Sequence, residues 1–239
     1  MTSPGAGPRE QALDLVADGV PVRAGFRILQ AGALAGGPIE LEFFVEVRGD
    51  AVRYLSLSGD RMRLRPADFS FTAAFAGVPL ADPCEGLPDY GGLGWVADVA
   101  PDHPLRFWLV LNEYVRLEAV LDLLPPGAAG LLSVVCRRPL RLGADVDAAM
   151  AARGEPVLVE VELGIELRRD DAALDELVAR LVAEVRDGPP TLRERPLSIL
   201  LALRGPAAVA RWRALVTHPD ALVADRVRQT LAQLPVRQP

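Results

Sequence analysis

The sequence predicts a mainly β N-terminal domain, built as a sandwich, followed by a small all-α C-terminal segment. Between residues 20 and 168, short apolar or alternating runs are separated by clusters of glycine, proline and aspartate, which is typical of many strands. Beyond residue 168, apolar residues recur every three or four positions, which is typical of amphipathic helices. We therefore divide the chain into a tail with a short helix (1–19), a β-sandwich (20–168) and a helical segment (169–239).

Period-two burial is clearest in two segments. In Ile39–Val47 the odd-numbered positions are all apolar, and three of the four positions between them are glutamate. Pro156–Arg168 alternates in the same way and predicts the last strand before the helical part. Arg48-Gly49-Asp50 supplies a turn, from which Val52–Leu57 is expected to fold back on Ile39–Val47 as a hairpin.

The other elements of the first two thirds follow from the same patterns. Arg9–Asp18, with its leucines, predicts one short helix after a mobile tail. The segment ADVDAAMAARG, residues 144–154, is compatible with a short helix or with a loop. The remaining predicted strands are Val22–Leu29, Met62–Leu64, Phe69–Phe75, Gly94–Val99, Leu105–Leu111, Val115–Leu121 and Leu131–Arg137.

The helical segment begins with the strongest helix signal in the chain. Asp170 or Asp171 stands at an N-cap position, and the apolar residues of Ala172–Arg186 have helical spacing up to Gly188-Pro189-Pro190. Three further helical stretches are predicted over Leu192–Leu203, Pro206–Val216 and Ala221–Leu234. We expect the four helices to form a cap on the last strand.

Two stretches of the β part resemble an immunoglobulin-like domain. Ala100–Leu142, APDHPLRFWLVLNEYVRLEAVLDLLPPGAAGLLSVVCRRPLRL, is similar to the closing half of bacterial domains of this kind, with Pro126-Gly127 as a hairpin corner before an edge strand. Phe69–Pro83 is similar to their middle strands. The resemblance covers about half of the chain and implies an immunoglobulin-like sandwich, with no active site attached to it.

The C-terminal sequence LRGPAAVARWRALVTHPDALVADRVRQTLAQL resembles a HEAT-like repeat. The shared features are a Gly-x-Pro start, a valine-rich first helix, a turn around His218-Pro219-Asp220 and a Leu-x-x-Leu second helix. Arg226 and Arg228 stand where small alanines are common in that family, and no long array follows. The resemblance implies a small helical interaction module.

A different fold remains open at this point. In this alternative, Arg106–Asn112 is the end of a helix, and Tyr114–Leu123 forms a hairpin with Leu131–Arg137. The chain then resembles the type III secretion chaperone and YbjN group, which implies a dimeric protein that binds client segments. The long stretch Gly59–Pro101 does not fit that small fold.

Composition limits the partners that we expect. The net charge is −6, with 26 arginines and no lysine, which argues against nucleic acid as a partner. No apolar run is long enough for a membrane span, and MTSPGAGPRE lacks the features of a secretory signal. We expect a cytoplasmic protein, or an exported one if a leader has been removed. A homodimer is left open.

The sequence offers little material for catalysis or metal binding. It has two histidines, His103 and His218, and no zinc-binding, phosphate-loop or serine-elbow motif. Cys136 is expected to be a buried thiol and Cys84 a surface thiol. We therefore expect a non-enzymatic interaction or adaptor protein without a cofactor. An accessory domain of an unidentified enzyme is the remaining alternative.

Two features are candidates for binding a protein partner. The first is the loop Asp82–Trp95, which carries Asp89, Tyr90 and Trp95 and is long for a sandwich connection. Trp95 also precedes a strand, and we favour burial in the core as the interpretation of this residue. The second is a basic ridge beside Trp212, whose own helical spacing predicts a core position. The arginines of this ridge are Arg211, Arg213, Arg226 and Arg228.

Overall fold

A computed structural model describes residues 9–30, 32–50, 52–60, 65–86, 91–151 and 155–234 of the chain. It is mainly β, with several sheets in the first two thirds and a helical C-terminal segment. This confirms the coarse fold class, mainly β with a helical C-terminal segment. No helix within these ranges is both long and apolar enough to cross a membrane.

The strands of the described residues form three sheets, and most pair with antiparallel neighbours. The strands are β1 (Glu10–Ala17), β2 (Val20–Ile28), β3 (Ala33–Leu34), β4 (Glu40–Val47), β5 (Arg53–Asp60), β6 (Arg65–Pro66), β7 (Ser70–Phe75), β8 (Val78–Leu80), β9 (Gly91–Val99), β10 (Leu105–Val110), β11 (Ala129–Leu140), β12 (Leu142–Gly143) and β13 (Val157–Arg168). The first sheet has the order β1-β2-β4-β10, and the second β3-β13-β11-β7-β8. In the third sheet the order is β12-β5-β6, and β9 also pairs with β5.

One apolar core joins the strands, because their alternating positions turn to the same interior. Along β13 the odd positions from Val159 to Leu167 are buried, and the even positions between them are exposed or only partly buried. Phe26 of β2 lies at the centre, with its ring centroid 5.1 Å from that of Phe43 and 6.2 Å from that of Phe69. Such tilted and edge-to-face contacts stabilise a core by more than the burial of their apolar surface alone.

The helices are α1 (Val120–Leu123), α2 (Val146–Ala151), α3 (Asp171–Asp187), α4 (Glu194–Ala202), α5 (Pro206–Trp212) and α6 (Ala221–Gln233). Single turns of 3₁₀ helix lie at Leu111–Glu113, Leu117–Ala119 and Pro190–Leu192, and a longer one at Arg213–Thr217. Asp170 caps α3 as predicted, since its side chain accepts a hydrogen bond from the Ala173 backbone N–H at 3.0 Å.

The helices α3 to α6 share a second apolar core. Trp212 is fully buried there, as predicted, and its Nε1–H donates to the Leu203 carbonyl at 3.0 Å. The strand residues that join this core are Val110 and the partly buried Trp108, both on β10. The helical cap therefore packs on the edge of the first sheet, whereas the sequence predicted packing on the last strand.

The predicted helix over Arg9–Asp18 is wrong. Residues 10–17 form β1, which pairs residue for residue with β2. Leu13 and Leu15 lie against the sandwich core while Asp14 and Val16 are exposed, so the burial period is two. The Asp18-Gly19 turn has positive φ at both residues, which is the geometry of a two-residue hairpin.

The predicted strand Val115–Leu121 is also wrong, because this stretch forms turns and the short helix α1. The alternative fold loses both of its required elements: residues 105–110 are a strand, and the proposed first arm of its hairpin is helical. Pro126-Gly127 follows α1, and β11 lies between β13 and β7, so β11 is not an edge strand.

Three further expectations need correction or have no counterpart. β4 pairs with β2 and β10, whereas β5 pairs with β6, β9 and β12, so Arg48-Gly49-Asp50 connects two sheets and not the arms of a hairpin. Cys84 is buried, as is Cys136. The predicted strand Met62–Leu64 lies outside the described residues. Residues 146–151 of the undecided segment form α2.

A substitution at Gly25 tests whether β1 and β2 approach each other closely at this position. A methyl group at this position would lie 2.1 Å from the Gln11 carbonyl oxygen and 2.6 Å from the Ala12 Cα. We expect Gly25→Ala to lower the free energy of unfolding by at least about 2 kcal/mol, because backbone atoms must shift. Gly32→Ala is the control, since nothing lies within 4 Å of its added methyl group. Urea unfolding measures both, and equal stabilities would contradict the β1–β2 packing.

Candidate functional site

Trp95 lies on β9 at the outer end of a column of aromatic rings. Its ring stacks on Phe107 at a centroid distance of 6.3 Å, and Phe107 stacks on Phe69 at 5.5 Å. Trp95 is nevertheless 45% exposed, so the interpretation as a core residue is wrong. The column connects an exposed indole to the centre of the sandwich and holds that indole in place.

A buried arginine closes the inner end of this column. The Arg138 guanidinium lies 5.1 Å from the Phe69 ring centroid and donates a hydrogen bond to the Ser56 carbonyl at 2.9 Å. Asp68 pairs with it at 3.3 Å and also accepts a hydrogen bond from the Ser58 backbone N–H at 2.6 Å. Burial lowers the pKa of Arg138, and the nearby carboxylate opposes that shift. An arginine retains its charge in such a site because its ordinary pKa is so high.

The first part of the loop that precedes β9 is firmly attached to the sandwich. Asp82 accepts hydrogen bonds from the Cys84 backbone N–H at 2.7 Å and from Arg65. Asp89 and Tyr90, the other two predicted binding residues of this loop, lie outside the described residues. Of the three, the structure therefore places only Trp95.

The four arginines of the predicted basic ridge have different surroundings. Arg211 pairs with Asp175 of α3, and Arg228 pairs with Asp225 of its own helix. Arg226 turns towards α4 and donates to the Ser198 hydroxyl at 3.1 Å. Arg213 is exposed and makes no hydrogen bond or ion pair within the described part of the chain. Two of the four positive charges are thus neutralised by neighbouring carboxylates, which weakens the case for one basic surface.

A polar cluster that no sequence pattern predicted lies where the sandwich faces the helices. Arg65 of β6 is 8% exposed and binds both carboxylate oxygens of Asp82, at 2.8 and 2.7 Å. It also donates to the Glu113 carbonyl at 2.6 Å, and its guanidinium lies 4.6 Å from the Tyr114 ring centroid. The Tyr114 hydroxyl donates to the Pro66 carbonyl at 2.8 Å. One cation therefore joins a loop, a strand and a turn.

The Glu113 side chain faces α4 and α6 from this junction. It borders a cavity of about 20 Å³, which is room for a single water molecule. Burial raises the pKa of the Glu113 carboxyl from its ordinary 4.5 to about 7, although the positive charges of Arg226, Arg65 and Arg204 oppose the shift. The residues that line the cavity are Glu113, Ser198, Leu201, Ala202, Arg204, Arg226, Thr230 and Gln233.

A larger cleft lies on the α3 side of the same junction. Its volume is about 370 Å³, and its surface is mostly apolar. One wall comes from the sandwich, and the other walls come from α3 and the start of α5. The lining residues are Gly36, Glu118, Leu121, Arg169, Asp171, Leu174, Asp175, Val178, Gly205, Pro206, Ala207 and Ala208.

The histidines and metal-binding residues do not assemble in the described ranges. His218 is buried, and its Nδ1 accepts a hydrogen bond from the Asp220 backbone N–H at 3.0 Å. His103 forms a small backbone bridge with Ala100. Within residues 9–30, 32–50, 52–60, 65–86, 91–151 and 155–234, no group of three or more His, Cys, Asp or Glu side chains is placed to hold a metal ion.

Comparisons with known proteins add little to this geometry. No family model and no curated protein matches the chain. One similar solved structure is the complex of zinc 2-glycoprotein and prolactin inducible protein from human seminal plasma, at 9% identity and a TM-score of 0.24, covering 71% of this chain and 100% of that chain. Another is AvmM, which catalyses macrocyclization in alchivemycin A biosynthesis, at 14% identity and a TM-score of 0.23, covering 67% and 97%. Similarity at this level supports no conclusion about fold or function.

Glu113 makes the stability of the protein depend on pH in an unusual direction. Its folded-state pKa of about 7 lies above the ordinary value of 4.5, so the folded protein binds the proton more tightly than the unfolded chain does. The free energy of unfolding should therefore fall as pH rises from about 4.5 to about 7. Glu113→Gln removes this dependence, and we expect the variant to exceed the natural protein by about 1–3 kcal/mol at pH 8 and to match it near pH 4.

Urea unfolding between pH 4 and pH 8 measures both pH profiles. Glu166→Gln, which neutralises an exposed carboxyl on β13, serves as the control and should leave the profile unchanged. Parallel profiles for the natural protein and Glu113→Gln would show that the Glu113 carboxyl is solvated like an ordinary one.

Proposed function

We propose that this chain is a non-catalytic interaction protein, an adaptor that binds another protein through the exposed surface around Trp95 on β9. The observation that carries the proposal is the 45% exposure of an indole that is stacked on the partly buried ring of Phe107. Tryptophan is strongly enriched among the residues that dominate binding energy at protein interfaces. An indole held by stacking loses little conformational entropy on binding, so more of its contact energy contributes to affinity.

The fold assignment within this proposal is an immunoglobulin-like sandwich followed by a HEAT-like pair of helices. Antiparallel sheets around one aromatic core support the first assignment. For the second, the support is α5 and α6, two consecutive helices whose shared core contains Trp212. In this assignment the helical pair leans on α3, α4 and β10, where a longer array would supply further repeats.

The basic residues have a secondary role in the proposed interface. Arg211 and Arg228 already pair with carboxylates, so a partner gains little from them unless it displaces those carboxylates. Arg213 is the arginine of the four that is best placed to meet an acidic side chain of a partner. We therefore assign the affinity mainly to Trp95.

Affinity purification from the source organism tests the proposal. The natural protein, Trp95→Ala and Leu222→Ala are compared by quantitative mass spectrometry, with Leu222 as the control because it is 76% exposed on the helical segment. We expect a defined protein to be retained by the natural chain and by Leu222→Ala. Its recovery should fall at least about tenfold with Trp95→Ala, which corresponds to about 1.4 kcal/mol.

The captured protein is then purified and titrated directly against the same three chains. Trp95→Phe, which keeps an aromatic ring on Phe107, should recover part of the affinity. Thermal unfolding confirms that each variant is folded. Equal affinity of all variants for the purified partner would remove Trp95 from the interface and with it the proposed mode of binding.

A further inference from the structure

The cleft between the sandwich and the helices has the dimensions of a small-molecule site. Its volume of about 370 Å³ falls within the usual range for ligand pockets, about 300–1,000 Å³. Leu121 and Leu174 form an apolar floor together with Val178 and Ala208. Burial of an apolar group against this floor would remove water from both surfaces, which is the main source of affinity in such pockets.

Close contacts and hydrogen bonds join the walls of the cleft to one another. Gly36 has φ +73°, and a methyl group there would lie 2.9 Å from the Leu121 side chain and 3.4 Å from that of Leu174. Arg169 donates to the Leu121 and Leu124 carbonyls and so connects the end of β13 to α1. A preformed pocket of this kind avoids the entropy loss of ordering its walls on binding.

Most charged groups around the cleft already have partners. Asp171 binds Arg169 with hydrogen bonds of 3.0 and 3.1 Å, and Asp175 binds Arg211. Glu118 differs from them, because its carboxylate makes no hydrogen bond or ion pair with the described residues. It projects from the turn Leu117–Ala119 beside the start of α5, where its Cβ would be 3.7 Å from a methyl group on Gly205.

These observations define the chemistry of a suitable ligand. An anion would meet three carboxylates, those of Glu118, Asp171 and Asp175, at the walls of the cleft. A neutral ligand that covers Glu118 would strip water from an unpaired charge, which is costly. A cation gains a Coulomb interaction with that carboxylate, and a primary amine can also donate hydrogen bonds to it.

From the apolar floor and the unpaired carboxylate, we propose that this cleft binds a small amphipathic organic amine in its protonated form. The apolar body lies against Leu121, Leu174 and Val178, and the ammonium group lies against Glu118. This site is separate from Trp95 and does not depend on the proposed protein interaction.

Three probes of matched size test the charge preference: 4-phenylbutylamine, 4-phenylbutanol and 4-phenylbutanoate. Each is titrated into the full chain at pH 7 and followed by amide NMR shifts at Leu174 and Val178. We expect the amine to bind at least about tenfold more tightly than the alcohol, and the carboxylate to bind most weakly. Equal or tighter binding of the carboxylate would overturn the proposal.

Variants identify the site itself. Glu118→Gln should reduce the advantage of the amine over the alcohol to less than about threefold, while Asp122→Asn, a neighbouring exposed carboxyl outside the cleft, should preserve it. Ala208→Leu fills the cleft and should abolish binding of all three probes. Ala207→Leu is a second filling variant at an exposed position, so that a folding defect in Ala208→Leu leaves the test intact. Undiminished amine binding by Ala207→Leu and Glu118→Gln would place the amine elsewhere and contradict the site.

Discussion

One buried cation, Arg65, holds together the side of the sandwich that faces the helices. Its guanidinium binds Asp82 through two hydrogen bonds, donates to the Glu113 carbonyl and lies over the Tyr114 ring. A charge withdrawn from water is stable only when nearly all of its hydrogen-bonding groups are matched. Because those groups come from three separate segments, β6, the loop at Asp82 and the turn after β10 are held in a single arrangement.

That arrangement positions two carboxyls of opposite character on one short stretch of chain. Glu113 turns towards α4 and α6, where arginines outnumber acids, yet its burial is deep enough to raise its pKa. Glu118, five residues later, faces the cleft beside α3 and α5, where carboxylates outnumber arginines. Between them the Arg116 backbone N–H donates to the Ala81 carbonyl at 2.9 Å, which ties the stretch to the loop that Arg65 holds. The helical segment thus gives each carboxyl its electrostatic surroundings.

The elements that local patterns control were predictable from the sequence. β13 and α3 have long, regular burial periods, and both were predicted nearly to the residue. β1 was mistaken for a helix although Asp18-Gly19 is a strong hairpin signal. Leu15 and Val16 are adjacent apolar residues, and such a pair is as compatible with the apolar face of a helix as with a strand. The pairing of the strands was harder to predict from the sequence. β4 and β5 are adjacent in sequence but belong to different sheets, and that choice is made by packing between distant segments.

The residues of the candidate sites can likewise be separated into those that the sequence predicted and those that it did not. Trp95 was identified because a tryptophan after a long loop is informative by itself, and only its exposure had to come from coordinates. Arg65 and Glu113 were missed because 48 residues separate the donor from its carbonyl acceptor, and neither residue belongs to a recognisable motif. The same holds for Glu118, which is an ordinary surface acid until α5 closes over the cleft. What a carboxyl does here is decided by the cations it meets after folding, and a sequence of 26 arginines and 32 acidic residues offers far too many pairings to choose among in advance.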